Sequence, residues 1–135
     1  MTETILPTGW NRPAGYSEGV VAEGTRLLHV AGQFGVRDGE SAVNSEDGFA
    51  AQWTGALRRV CTVVESAGGA AEDIVALRVY VTDLAAYRAS LRDIAGGYRE
   101  TLGKHVPAIT MVAVAGLVDD AALVEIEATA VLTGS

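Results

Sequence analysis

Residues 122–132 read Ala-Leu-Val-Glu-Ile-Glu-Ala-Thr-Ala-Val-Leu. Side chains of a strand alternate between its two faces. Val124, Ile126, Ala128, Ala130 and Leu132 therefore form an unbroken apolar row suited to a core. Glu125 and Glu127 share the other face with Leu123, Thr129 and Val131. Side chains two apart on one strand stand roughly 6–7 Å from each other. Each acid should then raise the proton affinity of its neighbour. The alternation leaves two readings open: a solvated polar face, or an acid facing a pocket among Leu and Val.

Working outward, Thr110 to Ala115 reads as the strand before it, and Ile74 to Val81, rich in branched residues, as another. Between these, Thr82-Asp83 caps a helix whose stripe is Leu84, Tyr87, Leu91, Ile94, Tyr98 and Leu102. Gly96-Gly97 interrupts that stripe and predicts a kink or break there. Upstream, Phe49, Trp53, Ala56, Leu57, Val60 and Val64 recur at helical spacing, with Asp47 as N-cap and Gly68-Gly69 as the stop. Gly32 to Gly48 is polar and glycine-rich, hence a loop. Val20 to Glu23 and Leu27 to Ala31 read as a hairpin around Gly24-Thr25. The order is β-β-α-β-α-β-β, an α+β fold with a single mixed sheet and two helices on one face. The uncovered face is expected to carry Met111, Ala113, Leu77 or its neighbours, and Val131. Such a patch favours self-association into a closed ring.

Bulk properties narrow the class. The 135 residues predict one domain over 1–135, and 49 percent apolar with 20 percent charged residues describes a globular chain. Ten Lys+Arg against 17 Asp+Glu, net −7, supply no basic block for phosphates, so nucleic acid is not an expected partner. Cys61 is the single cysteine and His29 and His105 lie far apart, so neither a disulfide nor a metal site is expected, and no cofactor is implied. Cys61 falls on or beside the buried stripe, as inert packing. His29 reads as a packed or interface residue and His105, beside Lys104, as surface. Nothing reaches transmembrane length or resembles a signal peptide, so the expected location is cytoplasmic, with no membrane partner.

Five short motifs then fall in order. They are Ala14-Gly15-Tyr16-Ser17, Ala31-Gly32-Gln33, Val81-Thr82-Asp83-Leu84, Tyr98 followed by Pro107-Ala108, and Val124-Glu125-Ile126-Glu127-Ala128. In this order the chain resembles the Rid (YjgF-type) family of reactive-intermediate deaminases over nearly its whole length. The resemblance implies a chorismate-mutase-like trimeric barrel with helices outward. It also implies a homotrimer with small-molecule sites in the clefts between subunits. By the same resemblance Glu125 orients the attacking water, Tyr16 and Ser17 border the cleft, and the Gly32 backbone approaches the ligand.

The departures bear on function. Active relatives carry Pro-Ala-Arg, whose guanidinium holds the substrate carboxylate, where this chain has Pro107-Ala108-Ile109. Losing a charge-assisted pair costs about 1.5–3 kcal/mol. A helical asparagine typical of the family is also missing, with a one-turn insertion around Ala95-Gly96-Gly97. The chain thus resembles a subgroup without the arginine, and its pocket should be more apolar and take a neutral or hydrophobic imine, enamine or carbonyl compound. Arg12 is a candidate replacement cation across the cleft, and Trp10 a candidate ligand cover. The expected chemistry is Glu125-assisted attack of water on the C=N bond of a small reactive intermediate. The alternative is a non-catalytic binding or regulatory trimer using the same cleft.

Overall fold

The computed structural model describes residues 2–133. Its strands are β1 (Thr2–Ile5), β2 (Gly19–Ala22), β3 (Arg26–Phe34), β4 (Ile74–Val81), β5 (Ala108–Ala113) and β6 (Val124–Leu132). The helices are α1 (Phe49–Ser66), α2 (Leu84–Ala89) and α3 (Leu91–Leu102), with a short 3-10 turn at Ala71–Asp73. β6 lies between β3 and β4 and is antiparallel to both. β5 completes the order β3-β6-β4-β5 and runs parallel to β4, an arrangement that needs a long crossover, here α2 and α3.

The apolar row of β6 behaves as its alternation requires. Val124, Ile126, Ala128, Ala130 and Leu132 are all buried beneath α1. α1 buries Phe49, Trp53, Ala56, Leu57, Val60 and Val64, the stripe anticipated from spacing, together with Cys61 and Gln52. Gln52 is a buried polar residue with its bonds satisfied. It donates to Asp47 O (2.9 Å) and Ala121 O (3.2 Å), and it accepts from Leu123 N (2.8 Å). Burial pushes the Cys61 thiol up to about 11, so it is packing and not a nucleophile.

Several expectations are corrected. The hairpin does not form: β2 pairs instead with β1, which lies outside the expected elements, and the two make a separate small sheet. The Glu23–Thr25 connection instead stitches to the end of β6, where Thr25 N donates to Leu132 O at 2.9 Å. β3 runs on through Gly32 to Phe34 because its partner β6 continues beyond the expected loop start. Asp47 does not cap α1; its carboxylate is taken by Arg37 (3.0 and 2.6 Å), and Gly48 holds the N-cap position without a side-chain bond. Asp83 does cap α2, accepting from Ala85 N and Ala86 N.

The second helical region divides at Ser90, giving three helices, while Gly96-Gly97 stays helical. Gly97 is there for close approach, since a Cβ would stand 2.0 Å from Thr54 Oγ1 of α1. The open face of the sheet also differs. Leu77, Val79 and Val81 oppose Ile109, Met111 and Ala113, and on the other side they oppose Ala128, Ile126 and Val124. Cross-strand partners share a face, so Leu77, Met111 and Ala113 lie on the helix side. The open face carries Arg78, Tyr80, Thr110 and Val112 beside Glu125, Glu127, Thr129 and Val131. Leu27, opposite Val131, is 60% exposed and Val112 is 45% exposed.

Candidate functional site

Two groups of candidate residues stand on opposite sides of the sheet. The first begins where the loop before β2 is fastened to the start of β5. Ser17 N donates to Pro107 O (3.0 Å) and the Ser17 hydroxyl donates to Val106 O. An isolated parallel bridge joins Ser17 to Ala108. These bonds bury Ser17 and bring Tyr16 and Ile109 to the wall of one cavity of about 760 Å³.

That cavity is walled by α1, α3 and β5 through Trp53, Ile94, Tyr98, Ile109 and Met111, with Tyr87 from α2. Phe49, Trp53 and Tyr87 form an aromatic cluster behind it, their ring centroids 6.0 to 6.2 Å apart. Trp53 and Tyr87, both on helical apolar stripes, serve as core and as cavity wall. The Tyr98 hydroxyl donates to His105 O (2.7 Å), and burial pushes its pKa upward. His105 is half-buried, a ring nitrogen 2.6 Å from Ile74 O, not the surface residue expected. Arg99 and Lys104 also line the cavity. No pattern in the sequence set these two apart from solvated cations.

Within one chain Arg12 stands apart from this cavity. It lines a smaller hollow of about 180 Å³ with Tyr16 and Ser17. Trp10 is 58% exposed and lines neither.

The second group lies on the open face. Glu127 accepts from the Tyr80 hydroxyl and pairs with Arg78 Nε at 3.2 Å, while Arg78 also donates to Thr129 Oγ1 at 3.0 Å. The Tyr80 bond and then Arg78 hold the Glu127 carboxyl below its ordinary value, contrary to the expected mutual rise. The same bond raises the Tyr80 phenol. Glu125 has no such partner among the described residues. Burial first, and the Glu127 charge second, push its carboxyl above the usual range. Its carboxylate rests against Gly32, in the irregular stretch of β3 between Val30 and Gln33. His29 is exposed on β3, opposite Thr129.

One chain therefore unites Tyr16, Ser17 and Ile109 at one place and Gly32 with Glu125 at another. It does not gather them into a single cleft, because β5 side chains paired with Leu77 point to the helix side and Glu125 to the other. Among the described residues no three His, Cys, Asp or Glu side chains are grouped to hold a metal, and no helix is long and apolar enough to cross a membrane.

The chain's likeness to known proteins follows the fold. The family model described as Endoribonuclease L-PSP matches residues 10–132. The Rid-family protein YyfB of Yersinia pestis, of unknown function, is 31% identical, covering 97% of this chain and 98% of its own at TM-score 0.83. The YjgF gene product of E. coli is also 31% identical, covering 96% and 98% at TM-score 0.62. E. coli TdcF, solved with bound serine, is 27% identical, covering 97% and 99% at TM-score 0.63. With the model match spanning nearly the whole chain, and the α+β mixed-sheet fold shared with these structures, this chain belongs to the Rid (YjgF, Endoribonuclease L-PSP) family.

Proposed function

We propose that the protein hydrolyses a small reactive imine or enamine, with Glu125 as the proton-transfer group. The observation that carries this reading is a carboxylate with raised proton affinity, free of hydrogen bonds to described residues, lying against the Gly32 backbone. A base of this kind takes a proton from water as the water oxygen bonds to the C=N carbon. That proton passes to nitrogen to give a carbinolamine. The carboxylate then moves a second proton, from the carbinol hydroxyl to nitrogen, as the C=O bond forms and the C–N bond breaks, releasing ammonia and a carbonyl product. An enamine first takes a proton at carbon to become the imine. TdcF holds serine, which supports a ligand with an amino-acid-like head for this fold.

The assembly belongs to the same proposal. Glu125 and the cavity lie on different sides of one sheet, so a joint site requires a second copy of the chain. A homotrimer would cover Leu27 and Val112 and set the Glu125 face of one subunit against the Ile109 cavity of its neighbour. A cytoplasmic setting suits the single free thiol, Cys61. Ribonuclease chemistry, which the family description suggests, is not favoured. The net charge is −7, and the two histidines sit apart, one on β3 and one bonded to Ile74 O.

A second reading rests on Ile109, which leaves the family's carboxylate grip empty: a trimer that binds without turnover. Ammonia release from 2-aminoacrylate and from an aromatic imine, each generated in situ, separates the two. Wild type above buffer with Glu125→Gln at background supports hydrolysis; equal rates throughout leave binding alone. Ile109→Arg is expected to restore activity on imino acids. Light scattering reports the oligomer, and a stable monomer would remove the joint site.

A further inference from the structure

We infer that the cavity binds an amphipathic carboxylate, with a bulky apolar body among Trp53, Ile94, Tyr98 and Met111 and its anionic end held by Arg99 and Lys104. The inference rests on the reading that this cavity is the ligand pocket, and it names the ligand class that this chain selects.

Size is the first argument. Cavities of about 300–1,000 Å³ suit drug-sized molecules, and this one measures about 760 Å³. A three-carbon imino acid would leave most of it to water, against walls that are mainly aromatic and aliphatic. Burying apolar area against such walls is favourable, so a larger apolar body is favoured there.

Charge is the second, independent argument. The chain has 17 acidic and 10 basic residues, yet the cavity lining includes Arg99 and Lys104 and no Asp or Glu. Neither cation forms an ion pair with a described residue, whereas Arg37, Arg58 and Arg78 all do. The anion grip absent at Ile109 is thereby moved to the end of α3. The competing explanation is that Arg99 and Lys104 only complement the negative pole of that helix. That role would affect stability and not ligand choice.

The test measures binding of 4-phenylbutyrate, its neutral amide and butyrate by calorimetry, and by the fluorescence of Trp53 in a Trp10→Phe background. The expected order is acid over amide and over butyrate, each by at least tenfold, with a Trp53 response. The preference for acid over amide should vanish in Arg99→Gln/Lys104→Gln, both exposed positions. In wild type the affinity for the acid alone should fall as salt rises. Equal affinity for acid and amide, a preference that survives the double variant, or an unresponsive Trp53 overturns the inference. The readout is binding, so selective binding without ammonia release would sink only the hydrolase reading. Ammonia release without selectivity would sink only this one.

Discussion

The Glu125 carboxylate lies so close to Gly32 that a Cβ built there would stand 2.2 Å from its Oε2. The neighbour is the far end of a flexible side chain, so Gly32→Ala should fold and move the carboxylate instead. A misplacement of about 1 Å at a reacting centre costs on the order of 100-fold in rate. Imine hydrolysis should fall by that order, while the unfolding free energy stays within about 1 kcal/mol of wild type. An active Gly32→Ala enzyme would separate Glu125 from the chemistry.

The two neighbouring acids should titrate stability in opposite directions. Glu125 has a folded-state affinity for protons above its unfolded one, so the folded form binds more protons. Its contribution is present below the ordinary glutamate range and is lost as pH rises through the raised value. Glu125→Gln should therefore melt higher than wild type at pH 7, with the difference closing in acid. Glu127 is lowered, so its contribution is present above the ordinary range and is lost as pH falls through the depressed value. Glu127→Gln should melt lower than wild type at pH 7 and converge with it at low pH. Thermal scans from pH 3 to pH 8 check both signs.

Adjacent glycines in α3 should respond oppositely to alanine. At Gly97 a Cβ meets Thr54 Oγ1 at 2.0 Å and Thr54 Cβ at 3.1 Å, so α3 must back away from α1. Overpacking of this kind costs about 1–3 kcal/mol. At Gly96 nothing lies within 4 Å, so Gly96→Ala should gain up to about 1 kcal/mol from helix propensity. Urea unfolding of the two variants measures the contrast.

Gln52 ties α1 to the entry of β6 through its amide. Gln52→Leu keeps the size but leaves the Leu123 N–H and the Asp47 and Ala121 carbonyls short of a partner. Unmet buried groups cost about 1–3 kcal/mol each. Gln52→Leu should lose at least the lower figure in urea unfolding, and Gln52→Glu should lose more as pH rises and the new carboxyl ionises.

The parts legible in the sequence were those set by local periodicity. The buried row of β6, the stripe of α1 and the Asp83 cap all follow from spacing within one element. Face assignments on β5 were not legible, because its parity is set by pairing with β4: Met111 lies inward only because it opposes Val79. Asp47 has the chemistry of a cap, but Arg37, ten residues away, takes it. The depressed affinity of Glu127 depends on Tyr80 and Arg78, which β4 brings alongside. Glu125, Gly32, Tyr16, Ser17 and Ile109 came from motif resemblance, and the structure divides them between two faces. Arg99 and Lys104 became visible only when the cavity gathered them with Trp53 and Tyr98.

β6, an interior strand of the main sheet, follows both of its neighbours in chain order. While the chain emerges from the ribosome, β3 and β4 have no strand between them, and α1 has only part of its floor. Closure then depends on contacts between residues about a hundred positions apart, such as Arg26 with Leu132. Such distant pairing slows folding and leaves apolar edges open meanwhile. This architecture should delay folding of the sheet until β6 has been made, and premature termination before β6 should yield a product that aggregates.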